Sequence, residues 1–358
     1  MYSGTADHRS RKLKISVCIP AYNRASVLSQ LLDSILSQSH GNFDVVIAED
    51  GSPERPLIAD VAREYERRYP GRIHYYENPV NLGYDGNLRR LVELADGDYV
   101  LFMGNDDLMA PNALQTISDV LARHSNVGVV LRAYAAFEGD PSNIVQEFKY
   151  FDRELFFPAG AQTIGTVYRR SVVIPGMVLH RKAALAHATC RFDGTLLYQL
   201  YLVAELLVTM NAVYLPQVIA LYRNGGTPDF GNSEAEKGKF QPKAQTPESS
   251  LHFIRGMLEI ASFVATERQV PIYEPILKDM ANYAYPLLSI QARLSKWQFM
   301  RYAKSLSTMG LGRYPLFWIY FLAILVLGAH NMDVIIGTIK KRLGRTPAIG
   351  GVYRGEPQ

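Results

Sequence analysis

The sequence predicts an α/β fold in which helices cover an open sheet, followed by a helical C-terminal region. Strand-like apolar runs alternate with amphipathic helical segments between residues 15 and 136, which predicts the first part. The pattern is helical from residue 251 almost to the end of the chain, which predicts the second. Residues 225–247 lie between the two parts, are rich in Gly, Pro and charge, and predict a mobile loop.

The elements of the first part follow one another regularly. The strand ISVCIP precedes apolar residues at helical spacing from Val27 to Leu36, and the strand FDVVIAE precedes a charged helix near residues 57–69. The strand IHYYEN, a helix over residues 87–95, the strand YVLFMG, a helix near residues 112–123 and the strand VGVVLRAYAAF continue the alternation. Such a sheet is expected to be parallel, and ligands bind at the carboxyl ends of its strands.

Composition excludes several classes of protein. The chain has 358 residues, of which 48% are hydrophobic and 20% charged, as in a globular protein with one large domain and an appendage. The two cysteines, Cys18 and Cys190, support neither a disulfide framework nor a zinc cluster, and a net charge of +4 is too small to indicate nucleic-acid binding. Residues 1–14 form a polar, basic tail without the apolar segment of a signal peptide, so the catalytic part is expected in the cytosol.

Nucleotide-binding motifs narrow the function further. The first strand is not followed by G-x-G-x-x-G, and the chain contains no G-x-x-x-x-G-K-[ST]. A dinucleotide site of the Rossmann type and a P-loop are therefore not supported.

Polar side chains follow three of the predicted strands, namely Asn23, Glu49-Asp50 and Asn105-Asp106-Asp107. Adjacent carboxylates repel each other unless a cation, a proton or water compensates their charge. The pair Asp106-Asp107 therefore indicates either a cation site or a helix cap before Pro111. Taken singly, each of the three polar groups is also typical of an ordinary turn.

Taken together, these segments carry a family resemblance. The series ISVCIPAYNR, VVIAEDGSPE and NLGYDGNLRRLVELADGDYVLFMGNDD resembles family 2 glycosyltransferases in order and spacing, over about the first 110 residues. The resemblance implies a GT-A fold, which is a nucleotide-sugar-binding, Rossmann-like domain, here over residues 15–225. It also implies a nucleoside-diphosphate sugar donor and Mn²⁺ or Mg²⁺ as cofactor.

The resemblance also implies roles for individual residues. Asp50 would pair with the base, and Arg89 and Arg223 are candidates for the phosphates. Asp106 and Asp107 match the family's acidic metal motif, in which a cation bridges the carboxylates to the diphosphate of the donor. The residues that would line the base, the ribose or the rest of the nucleotide are Pro20, Ala21, Tyr22, Asn23, Asn81, Gly83 and Asn87.

The sequence departs from the family pattern at two places. Gly104 stands where a further Asp is common, so the metal would have fewer protein ligands. Tyr198-Gln199 stands where the family has the acidic pair that supplies the catalytic base, shortly after Phe-Asp.

Two carboxylates remain as first candidates for the base. Asp193 is the first and Glu205 the second, although Asp193 is also suited to cap the following helix and Glu205 to face solvent. Asp229 or Glu234, in the loop of residues 226–250, could close over the donor as part of a lid. The alternative for this loop is a surface linker.

The C-terminal region, residues 251–358, contains an apolar segment. Residues 314–330, YPLFWIYFLAILVLGAH, carry no charge before their last residue and are slightly shorter than the roughly 20 residues that span a bilayer. The basic run IKKRLGR follows, as expected beside anionic lipid. We therefore expect a membrane-associating, embedded or re-entrant segment, with a buried helix as the alternative.

These expectations combine into one function. The sequence predicts a glycosyltransferase that moves a sugar to a lipid-linked saccharide acceptor at the cytoplasmic face of the bacterial inner membrane, held peripherally or monotopically. Within the family it looks most similar to O-antigen enzymes of the abequosyltransferase type, which use a deoxysugar. A catalytically weak sugar-nucleotide-binding or scaffold protein of the same pathway is one alternative, and a nucleotidyltransferase is another.

Overall fold

A mixed sheet forms the centre of the computed structural model, which describes residues 13–226, 229–343 and 355–356. The strands are β1 (Ile15–Ala21), β2 (Phe43–Glu49), β3 (Ile73–Glu77), β4 (Tyr99–Phe102), β5 (Leu108–Met109), β6 (Val127–Phe137), β7 (Ile144–Phe148), β8 (Leu155–Phe157), β9 (Met177–His180) and β10 (Asn211–Arg223). Their order is β3-β2-β1-β4-β9-β6-β10-β5, with β7 beside β6 and β8 beside β10.

The helices lie on and beyond this sheet. Those of the first part are α1 (Ala25–Leu36), α2 (Arg55–Arg68), α3 (Gly83–Leu94), α4 (Ala113–Arg123), α5 (Ala161–Val167), α6 (Arg181–Ala186) and α7 (Tyr198–Leu206). Those of the C-terminal region are α8 (Pro247–Glu267), α9 (Tyr273–Asn282), α10 (Tyr285–Ser289), α11 (Lys296–Thr308), α12 (Pro315–Leu327) and α13 (Ala329–Leu343). The predicted alternation of strands and helices, and the helical end of the chain, are thereby confirmed.

Strands β3, β2, β1 and β4 form a parallel half of the sheet, as the alternation predicts. Leu28, Leu31, Leu32 and Ile35 recur every three or four residues along α1 and are fully buried, so the helix covers one face of this half. The carboxyl ends of these strands therefore meet at one edge of the sheet.

The expectation of a wholly parallel sheet is wrong for the other half. Strand β9 lies between β4 and β6 and runs antiparallel to both. It contains only four residues, MVLH, and such a short apolar run does not distinguish a strand from the start of a helix. Hydrogen bonds to neighbouring strands, which lie far away in the sequence, define this element.

The apolar segment 314–330 forms a helix and the start of another. Helix α12 covers Pro315–Leu327 and is followed by Gly328, whose φ of 80° is left-handed, and then by α13. Phe317 and Ile324 are buried, whereas Val326 is 78% exposed. Among the described residues, no helix combines the length and the hydropathy needed to cross a bilayer.

Candidate functional site

A cavity of about 260 Å³ opens at the carboxyl ends of β1, β2 and β4, the edge that the sequence indicates. Many of the residues chosen from the sequence line it. These are Pro20, Tyr22, Asp50, Asn81, Gly83, Asn87, Asp106, Asp107 and Arg223. The structure thus brings together residues that lie up to two hundred positions apart.

Asp50 is held at one end of the cavity by two hydrogen bonds. Its Oδ1 accepts from Asn78 Nδ2 and from the Leu82 amide, each at 2.8 Å. Asn78 also donates to Asn87 Oδ1 at 3.0 Å, and Asn87 Nδ2 donates to the Ala48 carbonyl at 3.0 Å. Burial raises the pKa of Asp50 to about 6, and the two hydrogen bonds oppose that rise. Asn78 was missed in the sequence, where it stands simply as the residue after β3.

Gly83 begins α3 at the cavity wall and has to be a glycine. Its φ is 77°, and a Cβ built on it would lie 2.4 Å from Ser233 Oγ. Its amide donates to Asn81 Oδ1 at 2.9 Å. The loop that contains Ser233 can therefore approach α3 closely only because no side chain stands at position 83.

That loop packs over the cavity from Asp229 to Glu236. Glu236 is buried, and its two oxygens accept from the amides of Tyr84 and Gly231 at 2.8 Å each. The Phe230 ring meets the Tyr84 ring edge to face at 5.5 Å. Asp229, Phe230, Asn232 and Glu236 all line the cavity, whereas the side chain of Glu234 is 88% exposed. Residues 227 and 228 of the expected lid lie outside the described residues.

The carboxylates of Asp106 and Asp107 both reach the cavity. Asp106 Oδ2 lies 2.7 Å from Arg24 Nη1, and Asp107 Oδ1 accepts from the Arg223 amide at 2.9 Å. Burial, and then the neighbouring charge of Asp106, raise the pKa of Asp107 well above its usual value. Neither residue caps α4, because the N-cap position is Asn112.

The pair can be tested as a cation site. Among the described residues, no group of three or more His, Cys, Asp and Glu side chains could hold a metal ion. A Cβ at Gly104 would lie 2.4 Å from Asp107 Oδ2, so the space of a third carboxylate is already taken. Mg²⁺ usually binds through one or two carboxylates together with substrate phosphates and water. Asp106 and Asp107 fit that kind of site, in which the donor completes the ligand set.

Arg89 and Asp193 do not line the cavity. They form a bidentate ion pair, with Nη1 to Oδ1 at 2.6 Å and Nη2 to Oδ2 at 2.8 Å. Arg89 Nη1 also donates to the Thr189 carbonyl at 2.9 Å. The pair ties α3 to the segment before α7, and a contact of either side chain with donor or acceptor is not present in this arrangement.

Asp85, which sequence reasoning missed, organises the same segment. Its buried carboxylate accepts from the four backbone amides of Gly194, Thr195, Leu196 and Tyr198, at 2.8 to 3.0 Å. Burial raises its pKa to about 6 against these hydrogen bonds. Asp85 thus satisfies amides at the start of α7, the role that Asp193 had as the alternative to catalysis.

Glu205 is also remote from the cavity. Its side chain is fully buried on α7, and its Oε2 lies 2.6 Å from Arg268 Nε and 3.5 Å from His187 Nδ1. It does not face solvent. Ala21 and Asn23 were expected at the nucleotide but do not line the cavity either. The Ala21 carbonyl accepts from the Asp50 amide at 3.0 Å, and Asn23 Nδ2 donates to Asp229 Oδ2 at 3.2 Å.

One wall of the cavity consists only of apolar residues, Val172, Val173, Ile174 and Pro175. Every carbonyl of this segment, here called the apolar wall, is engaged elsewhere. Arg132 Nη2 and Nε donate to the carbonyls of Val173 and Pro175 at 2.6 and 2.8 Å. Gln199 Nε2 donates to Val172 and the Met177 amide to Ile174, both at 2.8 Å. Arg132, fully buried in β6, gave no signal in the sequence because it interrupts an apolar strand.

Known proteins resemble the first half of the chain in sequence. The family model described as Glycosyl transferase family 2 matches residues 16–187. Abequosyltransferase RfbV of Salmonella typhimurium is 34% identical over 113 residues, which are 32% of this chain and 34% of that protein. Amylovoran biosynthesis glycosyltransferase AmsB of Erwinia amylovora is 34% identical over 119 residues, or 33% and 39% of the two proteins. The match thus spans about a third of the length of these relatives.

Solved structures resemble the whole fold. The crystal structure of S. aureus TarS 1–349 in complex with UDP-GlcNAc has a TM-score of 0.57 at 16% identity and covers 96% of this chain and 98% of that one. The mannosyltransferase PcManGT from Pyrobaculum calidifontis, in complex with GDP-Man and Mn²⁺, has a TM-score of 0.50 at 13% identity over 91% and 88%. Such identities establish the fold alone. The chain therefore has a mixed α/β fold of the GT-A kind, and its residues 16–187 belong to glycosyl transferase family 2, as the motifs predicted.

Proposed function

We propose that this protein is a glycosyltransferase of bacterial surface polysaccharide assembly that uses a nucleoside-diphosphate sugar. The observation that carries the proposal is the cavity at the strand ends, where Asp50 lies in the same space as Asp106 and Asp107. Asp50 offers a carboxylate to a base N–H, and the acidic pair offers oxygen ligands to a cation beside a diphosphate. The relatives RfbV and AmsB, which carry glycosyltransferase names, support this proposal.

In this proposal Asp106 and Asp107 hold Mn²⁺ or Mg²⁺. When bound, the cation neutralises the charge that develops on the leaving nucleoside diphosphate. Pro20, Tyr22, Asn81, Gly83 and Asn87 line the remainder of the nucleotide site. The guanidinium of Arg223 stays near this charge, because its Nε donates to the Asp106 carbonyl at 2.8 Å and its Nη2 to Gln30 Oε1 at 2.7 Å.

Asp229 is the carboxylate that we propose as the base for the acceptor hydroxyl. It lines the cavity, and Asn23 Nδ2 holds its Oδ2 there at 3.2 Å. A base has to reach the proton that it removes, within hydrogen-bond distance or through one water. Asp193 and Glu205 stay sequence predictions for this role, with both carboxylates engaged in ion pairs.

The apolar wall supports a deoxysugar as the donor. A hydroxyl placed against Val173 or its neighbours would lose water without gaining a partner, which costs about 1–3 kcal/mol, whereas a methyl or methylene group would pack. A Val173→Thr variant tests this by adding a hydroxyl at nearly constant volume. We expect kcat/KM for a hydroxylated donor to rise severalfold relative to its deoxy analogue. The same change at exposed Val145 should leave the ratio unaltered.

The C-terminal helices support attachment to the cytoplasmic face of the inner membrane, where a lipid-linked acceptor would lie. Ile319, Leu322 and Val326 recur at spacings of three and four along α12 and are 56%, 54% and 78% exposed. On α13, Val334 is 57% exposed, and the last turn carries Lys340, Lys341 and Arg342. An exposed apolar face beside basic residues is typical of helices that lie in the membrane interface.

Vesicle flotation tests the attachment. The intact protein should float with vesicles that contain an anionic phospholipid and less with purely zwitterionic ones. A Leu322→Ser/Val326→Ser double variant should remain in the soluble fraction, whereas Leu57→Ser, which removes an exposed leucine from α2, should float like the parent. Equal flotation of both variants would contradict the proposal for α12.

Thermal unfolding tests the donor class. The protein is heated with UDP, GDP, CDP or dTDP, each with and without Mn²⁺, because a ligand that binds the folded state raises its stability. We expect one diphosphate to stabilise the protein only with metal, and Asp107→Asn to abolish the effect. Asp119→Asn, on the exposed face of α4, serves as the matched control.

A catalytically weak sugar-nucleotide-binding protein is the second candidate function. The absence of an acidic pair at Tyr198-Gln199 favours it, since Gln199 donates to the Val172 carbonyl instead of facing the cavity. Both candidates predict diphosphate binding. Turnover of the donor that the screen identifies separates them.

A further inference from the structure

Arg24, at the start of α1, has an unusual backbone. Asn23 and Arg24 are consecutive non-glycine residues with φ of 54° and 64°, both in the left-handed region. Such a conformation persists only where surrounding contacts fix it, and it is frequent at functional sites. Here Asn105 Nδ2 donates to the Asn23 carbonyl at 2.8 Å, and the Ala25 amide donates to Glu54 Oε2 at 2.8 Å. Together these contacts fix the backbone on both sides of Arg24.

The side chain of Arg24 lines the cavity and contacts one of the two candidate metal ligands. Its Nη1 lies 2.7 Å from Asp106 Oδ2, and the side chains of the pair are only 30% and 12% exposed. Gly226 covers the pair, since a Cβ there would lie 3.6 Å from Asp106 Oδ2 and 3.7 Å from Arg24 Nη2. The guanidinium therefore balances the charge of Asp106 at the position where a divalent cation would compete with it.

Asp107 differs from Asp106 in this respect. Its Oδ1 accepts from the Arg223 amide, while the Arg223 guanidinium donates to a carbonyl and to Gln30. Arg24 is thus the arginine whose guanidinium sits on a carboxylate of the pair. A cation that bridges both carboxylates would repel this guanidinium, whereas the diphosphate of a donor would attract it.

We propose that Arg24 is an exchangeable counter-ion, which pairs with Asp106 in the absence of donor and moves to the donor diphosphate when a divalent cation binds Asp106 and Asp107. The inference rests on the proposed function for its second half. It predicts that Arg24 weakens the binding of metal alone and strengthens the binding of diphosphate with metal. Metal and nucleotide would then bind with positive coupling.

The test measures two affinities of the full chain. Mn²⁺ binding without nucleotide is followed through the electron paramagnetic resonance signal of free Mn²⁺, and UDP, GDP, CDP and dTDP are then titrated calorimetrically at saturating Mn²⁺. Arg24→Gln should bind Mn²⁺ alone about tenfold more tightly and the diphosphate about tenfold more weakly, as expected for the loss of a hydrogen bond between charged groups. Arg90→Gln, which removes an exposed arginine of α3, should change neither affinity.

The opposite signs of the two effects exclude a damaged fold, which would weaken both. Adding Asp106→Asn to Arg24→Gln should remove the gain in Mn²⁺ affinity, because the freed carboxylate is its source. The proposal is overturned if Arg24→Gln leaves Mn²⁺ binding unchanged or weaker, or if neither protein binds Mn²⁺. If the parent and the variant bind no diphosphate, the donor proposal fails instead, and the Mn²⁺ titration still decides the competition between Arg24 and metal.

Discussion

Two acidic groups that the sequence singled out lie in different surroundings. Asp106 and Asp107 follow a strand of the parallel half, and both reach the cavity. Asp193 and Glu205 lie around α7 and are paired with Arg89 and Arg268 outside it. A residue directly after a strand is located by the sheet itself, because the strands end at a common edge. A residue beside a helix is located by tertiary contacts that the local sequence does not contain.

The base for the acceptor gives the sharpest test of this comparison. Asp229→Asn should lower kcat by about a thousandfold, within the range of general base catalysis, because it removes a carboxylate from the cavity. Asp193→Asn should change kcat less than tenfold and lower the thermal stability, because it weakens the ion pair with Arg89. Initial rates with the identified donor, measured beside unfolding curves, check both. A catalytic loss in Asp193→Asn at unchanged stability would place the base outside the present cavity and break the comparison.

Glu205 should prove to be a structural residue. Removing the charge of its partner in Arg268→Ala leaves a buried carboxylate unpaired, which should lower the free energy of unfolding by about 3 kcal/mol. Glu205→Gln in the same chain should recover part of the loss, because the amide needs no counter-ion. Urea unfolding of the two variants and their combination measures this. Equal stability of the parent and Arg268→Ala would show that the pair contributes little and reopen a functional role for Glu205.

The sequence predicted what depends on local pattern. The strands and helices of the parallel half, the edge that binds ligands and most of the cavity residues follow from periodicity and from motifs after strands. Asp85, Arg132 and Asn78 could not be predicted, because their importance lies in hydrogen bonds to segments that are distant in sequence. The four residues of β9 carry too little pattern to reveal an antiparallel strand.

The two-carboxylate form of the acidic group should be sensitive to Gly104. Its backbone is not left-handed, so only the lack of space opposes a side chain, with Asp107 Oδ2 lying 2.4 Å from an added Cβ. Gly104→Ala should therefore lower the free energy of unfolding by about 2 kcal/mol, and Gly104→Asp by more, since a like charge is added. Thermal unfolding and Mn²⁺ titration of both variants check this. Tighter Mn²⁺ binding by a stable Gly104→Asp variant would show that the site accepts a third carboxylate.

The smallest expected effect concerns pH at the opposite end of the cavity. Burial raises the pKa of Asp50 to about 6, so this carboxyl is ionised at pH 7 and protonated below pH 6. The ionised form accepts a base N–H and the protonated form does not. Diphosphate affinity should therefore fall as pH drops through about 6, approaching tenfold for each pH unit.

Two comparisons isolate Asp50 from other titrating groups. The phosphates of the ligand also titrate, so the pH dependence of the parent is compared with that of Asp50→Asn, which should bind more weakly at pH 7 and lose the component due to Asp50. Without ligand the sign is opposite. The folded protein binds this proton more tightly than the unfolded chain, so the contribution of Asp50 to stability is complete below pH 4 and is lost as pH rises to about 6. Ligand affinity that rises with pH while the unliganded protein loses stability, both abolished in Asp50→Asn, would identify a carboxyl buried for binding at the expense of stability.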